Sequence, residues 1–129
     1  PNAVLVVETL PEILSDKIRA LLERRYLKGR DIFDLWYLRT VLNAAADKEM
    51  IERKFRMYAW PFQAARNLDF FADPSSAVRE EQKTAIRKDL VRFLPPELLA
   101  VHQAEGYASF LAALQSLFAE LRKAEVALP

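Results

Sequence analysis

The sequence has no cysteine, only two glycines and a single histidine among its 129 residues. Without cysteine the chain can form no disulfide, no thiolate zinc site and no cysteine nucleophile. Gly29 and Gly106 stand far apart, which excludes a glycine-rich phosphate loop. His102 has no second histidine or cysteine beside it and no serine placed for a nucleophilic triad. We therefore expect His102 to be structural or exposed.

Long apolar runs and a large net charge are also missing. No run is long enough to span a bilayer and no signal-peptide pattern opens the chain, so we expect a cytoplasmic protein without a membrane partner. Nineteen Lys and Arg against eighteen Asp and Glu give a net charge of +1. Only a local basic patch could therefore attract nucleic acid. With 52% hydrophobic residues the chain can bury a core, and we expect one domain over residues 1–129.

Helical periodicity dominates the sequence and predicts a mainly α fold, a bundle of five to seven helices preceded by one short β-strand. The strand is the β-branched run at residues 3–7. A lone strand needs a partner, and the chain opens with Pro-Asn instead of methionine. We therefore expect a sheet-bearing segment upstream, which makes this chain the C-terminal part of a longer protein.

Capping residues, prolines and glycines set the expected helix limits. Thr9 and Glu12 form a capping-box pattern, Asp47 is a second N-cap, and Gly29 is expected to take positive φ in a turn over residues 26–30. The predicted helices span residues 9–25, 31–45, 47–58, 63–71, 76–93 and 97–125, the last with a break at Gly106. We divide them into a strand and helix pair, residues 1–45, and a set of C-terminal helices, residues 46–129.

Two carboxylates open the second predicted helix. Asp31 and Asp34 are three residues apart, so they share a helix face and could bind a divalent cation or position a nucleophile. Alternatively, Asp31 caps the helix and Asp34 only complements its dipole.

Three cations lie close to these carboxylates in sequence. Lys17 and Arg24 are seven residues apart on one face of the first helix, and Arg30 sits in the turn. An ammonium with forked guanidinium donors is the arrangement that recognises phosphate. The alternative is a solvated face with local ion pairs, such as Asp16 with Arg19 or Arg30 with Asp34.

Aromatic residues offer a weaker indication. Two tryptophans and three tyrosines could stack on bases, but their helical spacing favours a place in the core. They are Trp36, Trp60, Tyr26, Tyr37 and Tyr58.

The stretch ETLPEILSDKIRALLERRYLKGRDIFDLWYL carries a resemblance that its parts do not. It is similar to the second half of the AbiEii/AbiGii family of nucleotidyltransferase toxins, in which a strand precedes a Lys-x-(x)-Ala-Leu-x-x-Arg helix and an Arg-Asp-x-x-Asp-Leu helix. Here Lys17 and Arg24 match the first pattern, and Arg30, Asp31 and Asp34 match the second. The resemblance covers about residues 4–40 of the chain.

The resemblance implies a polymerase-β-like nucleotidyltransferase of type IV toxin–antitoxin and abortive-infection loci. Lys17, Arg24 and Arg30 would contact the nucleotide phosphates, and Asp31 and Asp34 would be catalytic residues in the active-site wall. One of the two carboxylates would act as a base or orient a basic partner. The implied cofactors are Mg²⁺ and a nucleoside triphosphate. The implied partners are an upstream catalytic half, a cognate antitoxin, and an RNA (such as tRNA) or protein acceptor.

The sequence departs from the family pattern in one respect. The family's Gly-Ser motif and its metal-binding Asp-x-Asp pair do not occur in it. We therefore expect this chain to be inactive alone and to hold no metal tightly. Two alternatives remain: a stand-alone helical interaction module with a structural ion-pair cluster, and a basic RNA-binding bundle without catalysis.

Overall fold

The computed structural model describes residues 7–57 and 59–129, and within them it contains seven α-helices, one π-helical segment and no strand. The elements are α1 (Leu10–Glu23), α2 (Gly29–Trp36), the π-helical segment (Tyr37–Val41), α3 (Lys48–Arg56), α4 (Asp69–Ala72), α5 (Ser76–Leu90), α6 (Pro96–Ala104) and α7 (Ala108–Lys123). This confirms the mainly helical fold. The strand predicted at residues 3–7 lies outside the described residues except for Val7, which is exposed and has no regular structure.

Local capping fixes the helix starts where the sequence predicts them. The Thr9 hydroxyl accepts a hydrogen bond from the Glu12 N–H at 3.3 Å, and the Glu12 carboxylate accepts one from the Thr9 N–H at 3.5 Å. The capping box that starts α1 is therefore confirmed. Asp47 caps α3 by accepting from the Met50 N–H at 3.1 Å. These bonds satisfy backbone donors that have no partner within the helix.

Gly29 does not take the positive φ that was predicted for it. It is the first residue of α2 and is buried against α5, where a Cβ atom would lie 2.1 Å from the carbonyl oxygen of Ala85. Close contact between two helices is the reason for this glycine. Among the described glycines, positive φ occurs at Gly106 (62°), followed by Tyr107 (60°), and this left-handed pair produces the predicted break between α6 and α7.

Several other helix limits differ from the predicted ones. The second helix does not continue to residue 45, because α2 passes into the π-helical segment and the chain reverses at Asn43 with φ 55°. Residues 63–68 are not helical, so the predicted helix over 63–71 is reduced to the four residues of α4. Helix α5 ends at Leu90, before the predicted residue 93.

The hydrophobic core lies between α2 and the helices around it. α2 packs against α1, α5 and α7, while α3 packs on α1 and α4 on α7. The apolar stripe of α7 faces this core, and five of its residues are buried (Phe110, Leu114, Leu117, Phe118 and Leu121). The helix pair α1 and α2 is therefore held in place by α3, α5 and α7, which follow it in the chain.

His102 packs in an aromatic cluster at one end of this core. Its ring lies 4.6 Å from that of Phe110 and 5.7 Å from that of Trp36, measured between centroids. The structural role expected for the only histidine is confirmed.

None of the helices in the described part of the chain is long and apolar enough to cross a membrane.

Candidate functional site

The five predicted site residues come together where α1 meets α2, and we call them the lysine–carboxylate cluster. Its members are Lys17, Arg24, Arg30, Asp31 and Asp34. Lys17 Nζ lies 3.3 Å from Asp31 Oδ1 and 2.8 Å from Asp34 Oδ2. Arg24 Nε lies 2.8 Å from Asp31 Oδ2, and Arg30 Nε lies 3.0 Å from Asp34 Oδ1. The cluster has three cations and two carboxylates, so one positive charge is in excess.

Helical spacing explains this arrangement. Lys17 and Arg24 are two turns apart, so they lie on the side of α1 that faces α2. Asp31 and Asp34 are one turn apart in α2 and face back towards them. A short connection, residues 24–28, joins the two helices and keeps all four side chains within reach of one another.

Asp31 is the buried member of the cluster, with 2% of its side chain exposed. A carboxylate at this depth requires opposite charge close by, because burial removes its hydration. Lys17 and Arg24 supply that charge. The Asp31 Oδ2 atom forms no hydrogen bond in the described structure although Arg24 Nε lies 2.8 Å away, because the N–H is not aligned with it. The contact with Arg24 is thus an ion pair without a formed hydrogen bond.

Asp34 and the two arginines are closer to solvent. Asp34 is 22% exposed and bridges Lys17 and Arg30. The side chains of Arg24 and Arg30 are 43% and 56% exposed, and each is paired with its carboxylate through Nε. No described residue hydrogen-bonds to the terminal nitrogens of these two guanidinium groups. The cluster therefore has a buried carboxylate at its base and guanidinium donors towards solvent.

Asp89 supports α2 from α5, a contact that the sequence did not predict. Its Oδ2 accepts a hydrogen bond from the Arg30 backbone N–H at 2.9 Å, at the first turn of α2. A carboxylate here also complements the helix dipole. The Arg30 guanidinium in turn lies over the Phe93 ring, 4.7 Å from its centroid. These two residues fix the position of Arg30, but they are distant in sequence and carry no motif.

Arg66 supports the other side of the cluster by closing the C-terminal end of α1. Its guanidinium donates to the carbonyl oxygens of Leu21 at 2.9 Å, Arg24 at 2.6 Å and Arg25 at 3.2 Å. These carbonyls have no partner within the helix, so Arg66 replaces the missing hydrogen bonds. Burial lowers the pKa of Arg66 from its ordinary value, with Glu81 opposing the shift. No pattern in the sequence indicates this role.

A second charged network lies where α1 packs on α3. Lys54 is buried and lies 3.2 Å from Asp16 and 3.7 Å from Glu8. Arg19, also buried, donates to the Lys54 carbonyl oxygen at 2.6 Å and pairs with Glu23. The interpretation of this side of α1 as a solvated face is therefore wrong. The predicted pair of Arg30 with Asp34 is confirmed.

The aromatic residues that could stack on bases were expected in the core, and the structure places only some of them there. Trp36 packs against Phe33 and Phe110 as the core interpretation predicts. Trp60 and Tyr26 are 82% and 69% exposed, so the core interpretation is wrong for them. Tyr37 is 42% exposed, and its ring stacks on that of Phe33 at a centroid distance of 6.4 Å. Tyr58 lies outside the described residues. Trp60 follows the end of α3, so helical spacing gave no valid indication of its burial.

The described residues contain no group of three or more His, Asp or Glu side chains that could hold a metal ion. Asp31 and Asp34, the two carboxylates nearest each other in the site, both contact Lys17. An ammonium already occupies the space between them, so the pair does not fit Mg²⁺ on its own.

A model of the family described as nucleotidyl transferase AbiEii toxin, type IV TA system, matches residues 1–120. The chain therefore belongs to the AbiEii toxin family, as the resemblance around the cluster indicated. Comparisons with curated proteins and with solved structures find no match.

Proposed function

We propose that this chain is the nucleotide-phosphate-binding part of a polymerase-β-like nucleotidyltransferase toxin. Membership of the AbiEii family supports a nucleotidyltransferase-related function. The observation that carries the proposal further is the position of Lys17, whose ammonium is held between Asp31 and Asp34 with two arginines at the rim. A fixed ammonium beside forked guanidinium donors is suited to a triphosphate.

In this proposal each cation has a distinct task. Lys17 acts as a point charge at the base of the phosphate site, and its two carboxylates prevent it from swinging into solvent. Arg24 and Arg30 are tied through Nε, which leaves their terminal nitrogens to donate to phosphate oxygens. Phosphoryl and nucleotidyl transfer depend chiefly on such placement and charge compensation.

Asp31 and Asp34 form the wall of the active site. The acceptor oxygen attacks the α-phosphorus, the bond to pyrophosphate breaks, and the acceptor proton must pass to a base. Both carboxylates contact cations, which supports a role in orienting Lys17 over a role as that base.

The metal-bearing part of the site is proposed to come from another segment. When bound, Mg²⁺ would supply charge compensation at the α-phosphate of the transferred nucleotidyl group. The printed sequence contains neither a Gly-Ser motif nor an Asp-x-Asp pair, and the cluster does not fit the ion. We propose that an upstream catalytic half provides these motifs, so that residues 1–129 alone transfer no nucleotide. A cognate antitoxin and an RNA (tRNA) or protein acceptor complete the proposed set of partners.

Substitution of Lys17 tests the proposal. Lys17→Met keeps the aliphatic stem and removes the charge, so nucleoside triphosphate binding by the intact native protein should weaken at least tenfold while the helical circular dichroism is unchanged. Lys48→Met, at an exposed lysine at the start of α3, is the matched control and should bind as the wild type does. Equal triphosphate affinity in wild type and Lys17→Met would refute the phosphate site.

One observation favours a second function, a helical interaction module. Helix α6 buries none of its residues and exposes Leu98 and Val101 by 50% and 61%. If the cluster is only an ion-pair network, Lys17→Met will lower the free energy of unfolding, and the wild type will show no triphosphate binding.

A further inference from the structure

Trp60 is the most exposed of the large hydrophobic side chains in the described part of the chain, with 82% of its surface open to solvent. It lies between the end of α3 and Pro61, and its ring packs on no other ring among the described residues. A tryptophan left in solvent forgoes a large gain from burial, so its surroundings are informative.

Those surroundings are a cleft between α1 and Trp60. The cleft has a volume of about 370 Å³, within the range of small-molecule sites. Its lining is Asp16, Arg19, Ala20, Glu23, Arg24 and Trp60. Ala20 contributes only a methyl group to this lining. A second depression, on the Pro61 side of Trp60, shares Glu23 and Trp60 with it.

Arg24 connects this cleft to the lysine–carboxylate cluster. It lines the cleft and also pairs with Asp31 at 2.8 Å. A ligand whose phosphates contact Lys17 and Arg24 would therefore have its remaining part directed along α1, towards Trp60. The part of a nucleotide that extends from its phosphates is the nucleoside.

We propose that the cleft between α1 and Trp60 binds the base of the nucleoside triphosphate, with the indole of Trp60 stacked on the base. The inference rests on the proposed function and adds a base-binding subsite to it. Stacking on an aromatic side chain needs only a flat π-face and a partly exposed ring, and Trp60 provides one. The carboxylate of Glu23, at the edge of the cleft, can accept hydrogen bonds from N–H groups of the base.

The experiment compares two probes on the intact native protein: a nucleoside triphosphate and inorganic tripolyphosphate, each with Mg²⁺, by titration calorimetry. Trp60→Ala should weaken nucleoside triphosphate binding about tenfold, and leave tripolyphosphate binding unchanged. Trp60→Phe, which keeps a π-face, should restore most of the lost affinity. Tyr26→Ala is the matched control, since it removes another exposed aromatic ring near α1, and should change neither affinity.

Two outcomes would overturn the subsite. The first is equal affinity of the nucleoside triphosphate for wild type and Trp60→Ala. The second is an equal loss of affinity for both probes, since it would mean that Trp60 only shapes the phosphate site. In the first outcome tripolyphosphate binding stays sensitive to Lys17→Met, whereas failure of the proposed function would leave no Lys17-dependent binding of either probe.

Discussion

Replacing Gly29 by alanine sets two opposing effects against each other. Alanine is more favourable than glycine in a helix interior by about 1 kcal/mol, and less than that at the first position of α2. Against this gain, the new Cβ would lie 2.1 Å from the Ala85 carbonyl oxygen, 2.6 Å from its carbon and 2.9 Å from the Ile86 Cα atom. All three atoms belong to the backbone of α5, so no side chain can turn aside.

The steric effect should win. To restore van der Waals contact, α2 and α5 must separate by roughly 1 Å along a tightly packed interface, and overpacking of this kind costs about 1–3 kcal/mol or more. We expect Gly29→Ala to lower the free energy of unfolding by about 1–2 kcal/mol net. Because Arg30 N–H bonds to Asp89 across the same interface, the shift should also weaken triphosphate binding.

Urea unfolding followed by circular dichroism measures the first effect and calorimetric titration the second. Ser116→Ala, at an exposed position of α7, is the control, since it changes helix propensity without touching a neighbour and should be slightly stabilising. A Gly29→Ala protein as stable as the wild type, or more stable, would refute the close contact between α2 and α5.

Three further predictions concern single side chains. Arg66→Ala should lower the free energy of unfolding by about 2 kcal/mol, because three carbonyls at the end of α1 lose their donor. Urea unfolding measures this loss, and an Arg66→Ala protein as stable as the wild type would contradict the capping role of Arg66. Thr9→Ala should cost about 1 kcal/mol by loss of the capping box, measured in the same way, while Thr40→Ala, at an uncapped exposed position, should cost less. Hydrogen bonds from Ser109, its side chain first and then its N–H, hold the pKa of Glu105 below its ordinary value. The stabilisation from Glu105 is therefore present at pH values above the ordinary pKa of a glutamate and is lost as the pH falls through the lowered pKa. The free energies of unfolding of wild type and Glu105→Gln should differ at neutral pH and converge in acid, which urea unfolding at several pH values measures.

The parts of the fold that the sequence predicted correctly depend on residues close to one another in the chain. The Thr9 capping box, the Asp47 cap and the break at Gly106 each involve residues within three or four positions. The cluster belongs to the same category, because Lys17 and Asp34 are separated by a single helix–turn–helix connection. Spacing alone left its function open, and the phosphate role is a prediction that rests on the family pattern.

The wrong or missing predictions involve contacts between distant residues. The contact of Gly29 with Ala85 crosses two intervening helices, so a glycine in a turn looked like a residue for positive φ. Asp89 and Arg66 likewise act on backbone atoms more than forty residues away, Asp89 on an N–H group and Arg66 on carbonyl oxygens, and a hydrogen bond to the backbone requires no particular partner side chain. Trp60 was assigned to the core by a periodicity that ends with α3.

The central claim is that Lys17, Arg24 and Arg30 hold the phosphates of a nucleotide. A crystal structure of the intact native protein with a non-hydrolysable nucleoside triphosphate tests it most directly. The account predicts phosphate oxygens within hydrogen-bond distance of Lys17 Nζ and of the terminal nitrogens of both arginines. A nucleotide bound elsewhere, with the three cations still paired only with Asp31 and Asp34, would contradict it.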